Sequence, residues 1–152
     1  MITLESIKAK QDEITQLISS YENQSAAVEY IFPETEIKLS KGEHYAGLIL
    51  GKDGESSYHL ILLPNEKQDI NWGDAVTWAK EQGGDLPTRR EQSLLYANLK
   101  ERFEERWYWS SEQHASHSDS AWSQVFSYGG QSDYHKFNEL RARAVRRLLV
   151  IQ

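Results

Sequence analysis

The chain has 152 residues, 39% of them hydrophobic and 26% charged, which is enough for one ordinary domain with an appendage and too little for two full domains. Its net charge of −6 and pI near 5.4 argue against a dedicated nucleic-acid binder, which needs a basic excess to release phosphate counterions. The absence of cysteine removes disulfides, zinc–thiolate sites and thiol nucleophiles, while five Trp, eight Tyr and four Phe exclude general disorder, because such rings stabilise only when packed.

The first residues, Met1-Ile2-Thr3-Leu4-Glu5-Ser6-Ile7-Lys8, lack the basic-then-apolar run of a signal peptide, and no stretch approaches the roughly 18 apolar residues of a membrane span. The expectation is a cytoplasmic or virion-associated protein without membrane insertion. Residues 3 to 22 read as a helix, with Leu4, Ile7, Ile14, Ile18 and Tyr21 at three- and four-residue steps. As heptads, Leu4, Gln11 and Ile18 form one seam position and Ile7, Ile14 and Tyr21 the other, with Gln11 the polar member that sets register. Two uses fit this stripe: homo-oligomerisation, or packing on the chain's own domain. Residues 1–24 are therefore set apart from a domain over 25–152.

Pro33 ends any helix, and Ile37 and Leu39 suggest a short strand. Tyr45 to Leu50 and Tyr58 to Leu63 flank a glycine-containing loop and predict a β-hairpin, its second strand apolar on both faces and hence central. A helix is predicted from an N-cap at Asn71 through Trp72, Ala75, Val76 and Ala79 to Gly83-Gly84. A second opens at Thr88-Arg89-Arg90-Glu91, a capping box, and carries Leu94, Leu95, Leu99 and Phe103 on one face. Strands follow at Trp107–Ser111, Ala121–Ser127, Tyr134–Phe137 and Arg143–Val150, with a turn at Gly129-Gly130. Hairpin, two helices, then an antiparallel run is an α+β order, two helices on a twisted antiparallel sheet.

Five motifs stand in order along the chain: Trp72-Gly73-Asp74-Ala75; Gly84-Asp85-Leu86-Pro87-Thr88-Arg89-Arg90-Glu91; Tyr108-Trp109-Ser110-Ser111-Glu112; Ala121-Trp122 with Phe126 and Gly129-Gly130; and Arg143-Ala144-Val145-Arg146-Arg147. Together, over roughly residues 44 to 150, they resemble the Lcl C-terminal-like domain, a domain of unknown function common in phages, prophages and bacterial surface proteins. The resemblance implies a C-type-lectin-like fold, related in architecture to formylglycine-generating enzymes and to the variable ligand-binding proteins of phages. In those relatives the C-terminal strands and loops form the ligand surface.

The chemistry those relatives use lacks its atoms here. Calcium-dependent sugar sites use Glu-Pro-Asn or Gln-Pro-Asp with Trp-Asn-Asp, and neither tripeptide set is present; the enzymatic relatives need cysteines or His-x-x-x-His-x-Glu, and the chain offers only His114-x-x-His117. No third ligand accompanies His114 and His117 at metal spacing, so no metal, cofactor or catalytic residue is assigned. Trp109 and Trp122, each beside serine on a strand, read as core plugs. Arg141, Arg143 and Arg147 share one face if their strand is continuous, which suits either an acidic partner or a solvated framework face.

In residues 113 to 138 Ser, Tyr, His, Asp, Phe, Gly and Asn dominate, which suits either an adaptable recognition surface or an ordinary solvated hairpin with turn-forming residues. The expected ligand-binding residues are Tyr128, Asp133, Tyr134, His135, Phe137 and Asn138. The function expected is a non-catalytic phage or prophage binding module for a protein or cell-surface glycan, oligomeric through its N-terminal helix; the alternative is an intracellular phage-encoded regulator or inhibitor of a host or phage protein.

Overall fold

A computed structural model describes residues 1–25, 31–32 and 34–150 of the chain, so the helix-ending role of Pro33 lies outside the described residues. The chain divides into two compact units, Met1–Glu36 and Ile37–Gln152. The first is built on α1 (Leu4–Ser25), a helix of 22 residues about 33 Å long at 1.5 Å per residue. Thr3 and Ser6 cap it reciprocally, each side-chain oxygen accepting the other's amide at 3.2 Å. Leu4, Ile7, Ile14, Leu17, Ile18 and Tyr21 are all more than half exposed.

The second unit contains β1 (His44–Ile49), β2 (Tyr58–Leu62), β3 (Lys67–Ile70), α2 (Trp72–Glu81), α3 (Arg89–Leu99), β4 (Trp107–Gln113), β5 (Ser120–Val125), β6 (Gln131–His135), β7 (Leu140–Ala142) and β8 (Val145–Leu149), with a 3-10 turn at Lys100–Arg102. The chain is thus α+β behind an N-terminal helix, and its strands form two sheets. One sheet runs β1-β2-β8, with β2 central and buried as its apolar run requires; the other runs β3-β7-β4-β5-β6. Every pairing is antiparallel except β4 with β7. Ile37 and Leu39 belong to no strand; the carbonyl of Lys38 between them accepts a bond from Arg146 Nη2 at 3.2 Å.

Local chemistry fixes both helix starts. Asn71 accepts the Asp74 amide at 2.9 Å, and Thr88 with Glu91 completes the capping box. The two glycines that stop α2 do so for different reasons. Gly83 supplies a φ of +90°, whereas a Cβ on Gly84 would meet the Val145 carbonyl oxygen at 2.1 Å, where Asp85 and Val145 exchange backbone bonds of 3.0 and 2.8 Å. That bridge ties α2's exit to the three-stranded sheet.

Two clusters form the core. Ala46, Leu60, Leu62 and Val145 of the small sheet pack with Leu95 and Leu99 of α3 and with Tyr108 and Phe126; Trp109, Ala121 and Ala142 of the large sheet pack with Ala75 and Ala79 of α2 and with Leu63 and Leu86. Trp109 is the plug its sequence suggests, fully buried with its indole N–H on the Ile70 carbonyl at 2.9 Å. Glu91 does more than cap. Buried at the inner face of α3, it takes a two-pronged bond from Arg147 (2.7 and 2.8 Å) and one from the Tyr58 hydroxyl at 2.8 Å. Burial pushes the Glu91 carboxyl up, but Arg147, the Thr88 amide and Tyr58 together outweigh it and hold it below the usual glutamate range. Tyr58 is pushed up to about 12, by burial first and then by the carboxylate it faces.

The arginines do not share one strand face. The chain breaks strand at Arg143-Ala144, so Arg141 pairs with Glu66 at 2.7 Å, Arg146 with Glu43 at 2.8 Å, and Arg143 donates to the carbonyls of Leu63 and Arg102 at 2.8 and 2.6 Å. Their charge is taken up by the framework.

Candidate functional site

The expected ligand-binding residues all lie on β6 or in the turns at its two ends. β6 ends the order of the five-stranded sheet and, among the described residues, pairs only with β5, in an unbroken register from Ser120↔His135 to Gln124↔Gln131. Because side chains alternate along a strand, Gln131, Asp133 and His135 share the face of Trp122 and Gln124, while Ser132 and Tyr134 share that of Ala121 and Ser123. The six residues therefore do not converge on one face. Asp133 and His135 stand together; Tyr134 points the other way, half-buried against the α2 cluster with its ring edge-on to Trp107 at 5.2 Å.

The turn residues have distinct roles. Tyr128 is 70% exposed and lies over Gly130, where a Cβ would come within 2.3 Å of its ring. Gly129 before it has φ +82° and leaves only 2.9 Å to the Tyr96 ring, so both glycines are needed to hold Tyr128 out. At the far end Phe137 is 84% exposed, its ring 5.0 Å from that of His135. Asn138 is a turn residue: its amide and side-chain nitrogens both donate to the His135 carbonyl, at 2.9 and 3.1 Å.

A chain of side-chain amides ties the start of this strand to the core. Gln131 donates to Gln124 and to the Arg89 carbonyl, both at 2.8 Å; buried Gln124 donates to the Gln92 carbonyl at 2.9 Å; buried Gln92 donates to the Tyr108 carbonyl at 3.1 Å. β6, β5, α3 and β4 are joined by one network that fixes where the edge sits.

Beside Asp133 stands a row of stacked rings that the sequence reading missed. Trp122, expected in the core, is half-buried instead: the Arg89 guanidinium lies 3.6 Å over its ring, His114 stacks on it at 5.1 Å, and His117 stacks on His114 at 4.7 Å. The only available signal was strand parity, since Trp122 sits between two residues that face the core. Arg89 is anchored further by its backbone amide on Glu112 at 2.6 Å and its Nε on Gln131 at 2.9 Å. His114 Nδ1 accepts the amides of Ser116 and His117, each at 3.1 Å, so that nitrogen faces backbone donors and is not poised as a base toward the Ser116 hydroxyl.

Three clefts among the described residues, of about 310, 260 and 450 Å³, are lined by other side chains, around Phe103, Arg143 and Asp74 respectively. No β6 residue lines any of these three. Compared with known proteins, the chain matches no family model and no curated sequence. Among the described residues, no helix is long and apolar enough to cross a membrane.

Proposed function

We propose that the chain is a non-catalytic binding module of C-type-lectin-like architecture, encoded by a phage or prophage, that recognises a protein or surface glycan through β6 and its flanking turns. The observation that carries this reading is the pair of rings, Tyr128 and Phe137, held out at either end of a strand whose backbone is pinned by the Gln131–Gln124–Gln92 network. Exposed aromatic anchors ringed by polar groups on a rigid support are the usual composition of a binding hot spot. Asp133 and His135 supply the polar contacts between them, and the Arg89–Trp122–His114 stack extends the same face. Chemistry on the substrate is not part of the proposal, because the chain has no cysteine and its paired histidines stack on each other rather than facing a nucleophile.

The test is retention on immobilised protein from bacterial lysate and from cell-envelope extract, compared with a Tyr128→Ala, Phe137→Ala variant. Loss of a component in the variant is expected, and the fraction it came from separates an intracellular protein from an envelope receptor. Equal retention by both proteins sinks the reading. Assembly through α1 belongs to the same proposal, supported by its exposed Leu4, Ile7, Ile14, Ile18 and Tyr21 stripe. An Ile7→Glu, Ile14→Glu variant is expected to fall to monomer mass in sedimentation, and an unchanged mass removes the helix from assembly.

A further inference from the structure

The ladder between β5 and β6 decides which backbone groups of β6 are free. Bonds from Val125 N to Gly130 O (3.0 Å) and from Lys136 N to Asp119 O (2.8 Å) bracket the pairing, with Ser123↔Ser132 and Ala121↔Tyr134 at two-residue steps between them. In an antiparallel pair, bonded positions alternate, so Ser132 and Tyr134 face β5 while the N–H and C=O of Gln131, Asp133 and His135 face outward. Among the described residues, only the His135 carbonyl of those six groups has a partner, Asn138. Three amides and two carbonyls line an open edge about 13 Å long, at roughly 3.3 Å per residue.

The other edge of the same sheet is guarded. β3 has a register shift between Lys67 and Ile70, a φ of +49° at Asp69 and an exposed lysine, all devices that turn an incoming strand away. β6 has none: no proline, no bulge and no lysine within the strand. The nearest lysine, Lys136, is drawn aside, its amine 2.6 Å from Gln113 Oε1 and 4.5 Å over the Trp72 ring.

We infer that this edge takes an extended segment of another protein as an added strand, an inference that rests on the reading of β6 as the binding surface and names the ligand class. Backbone hydrogen bonds to Gln131, Asp133 and His135 give the segment its direction and register. Tyr128 and Phe137 at the two ends receive apolar side chains, and Asp133 selects a basic or neutral side chain between them. A second copy of β6 is a poorer occupant, since symmetric antiparallel pairing through all three outward residues sets Asp133 against Asp133.

The probe is a displayed library of random ten-residue peptides selected on the immobilised full chain, with Asp133→Pro as the counter-target. Proline at this outward-facing position removes one edge donor and leaves the ladder to β5 in place. Selected peptides are expected to carry apolar residues toward both ends and to bind Asp133→Pro about tenfold more weakly, one backbone bond being lost. Because that variant could itself distort the strand, the peptides are also N-methylated one position at a time: weakening at every second residue is the signature of strand addition. No enriched peptide, or enrichment indifferent to both changes, overturns the inference. Peptides lost in Tyr128→Ala, Phe137→Ala but indifferent to N-methylation would keep the surface and discard the added strand. A fall in oligomer mass on Asp133→Pro, with α1 intact, would give the edge to a second copy and overturn the peptide.

Discussion

The C-terminal arginines and the residues of β6 come from similar stretches of sequence, short and dense in hydrogen-bonding side chains, yet the fold treats them in opposite ways. Arg141, Arg146 and Arg147 each meet a carboxylate, and Arg143 ends on two carbonyls. On β6 Gln131 is tied inward by its side chain and Tyr134 by its ring, while the outward amides and carbonyls of Gln131 and Asp133 and the rings of Tyr128 and Phe137 are left to the surroundings. Polar sequence therefore marks framework in one place and surface in the other, and the difference lies in what the neighbouring elements offer. β8 runs beside buried Glu91; β6 runs beside solvent.

The comparison breaks most violently at Arg147. Arg147→Ala strands the fully buried Glu91 carboxylate, and a loss of about 3 kcal/mol in urea unfolding is expected, at the low end for a broken buried pair because the guanidinium is partly open to water. The same pair gives a pH dependence. Glu91, Asp85 and Glu43 all have carboxyls held below their ordinary values in the folded chain, Glu91 by Arg147, Thr88 and Tyr58 against burial, Asp85 chiefly by Lys80, and Glu43 chiefly by Arg146. The unfolded chain thus binds protons first as pH falls. The stability these groups contribute is complete above their ordinary values of 4.5 and 3.8 and drains away below them. Urea midpoints from pH 7 to pH 3 are expected to hold and then drop, with a shallower drop in Glu91→Gln; an equal drop would remove Glu91 from the account.

A smaller effect is expected where framework and surface meet. Gln124→Leu removes the donor to the Gln92 carbonyl and the acceptor for Gln131, and about 1 kcal/mol should be lost, because Gln131 keeps the Arg89 carbonyl and the Gln92 carbonyl keeps its place in the α3 helix. Amide exchange should quicken on β6 while the β1–β2 hairpin keeps its protection; uniform quickening would mean the network is not what pins the edge. Smaller again is Arg89→Ala, which strips the cation from Trp122 at a cost of about 0.5–1 kcal/mol and should red-shift the emission of a now wetter indole.

What could be read in advance followed how local the cause was. The Thr88–Glu91 box and the Asn71 cap were legible because each is complete within four residues. The hairpin was legible because its apolar runs flank a turn. β3 was missed because Lys67, Gln68 and Asp69 are all exposed and the strand exists only through its pairing with β7. Trp109 and Trp122 looked alike in sequence, beside serine in a strand, and parted because register put one on the α2 face and the other under Arg89. β6 begins at Gln131, three residues before the Tyr134 start read from its sequence, since the glycine turn closes at Gly130 with the Val125 amide. Glu91 was recognised as a cap and not as an ion-pair partner, because Arg147 lies 56 residues away.

The smallest expected effect on stability separates surface from framework most cleanly. Tyr128→Ala and Phe137→Ala remove rings that touch little of the core, so each should shift the unfolding free energy by no more than about 0.5 kcal/mol, as at other exposed positions. Removing Tyr128 also uncovers Gly130, and a modest rise in local exchange there is expected without a change in the midpoint. If either substitution instead costs 2 kcal/mol or more, that ring is holding the turn in place and belongs with the arginines as framework. If both are neutral in stability while ligand retention falls, exposure at these positions is explained by binding, because folding draws nothing from them.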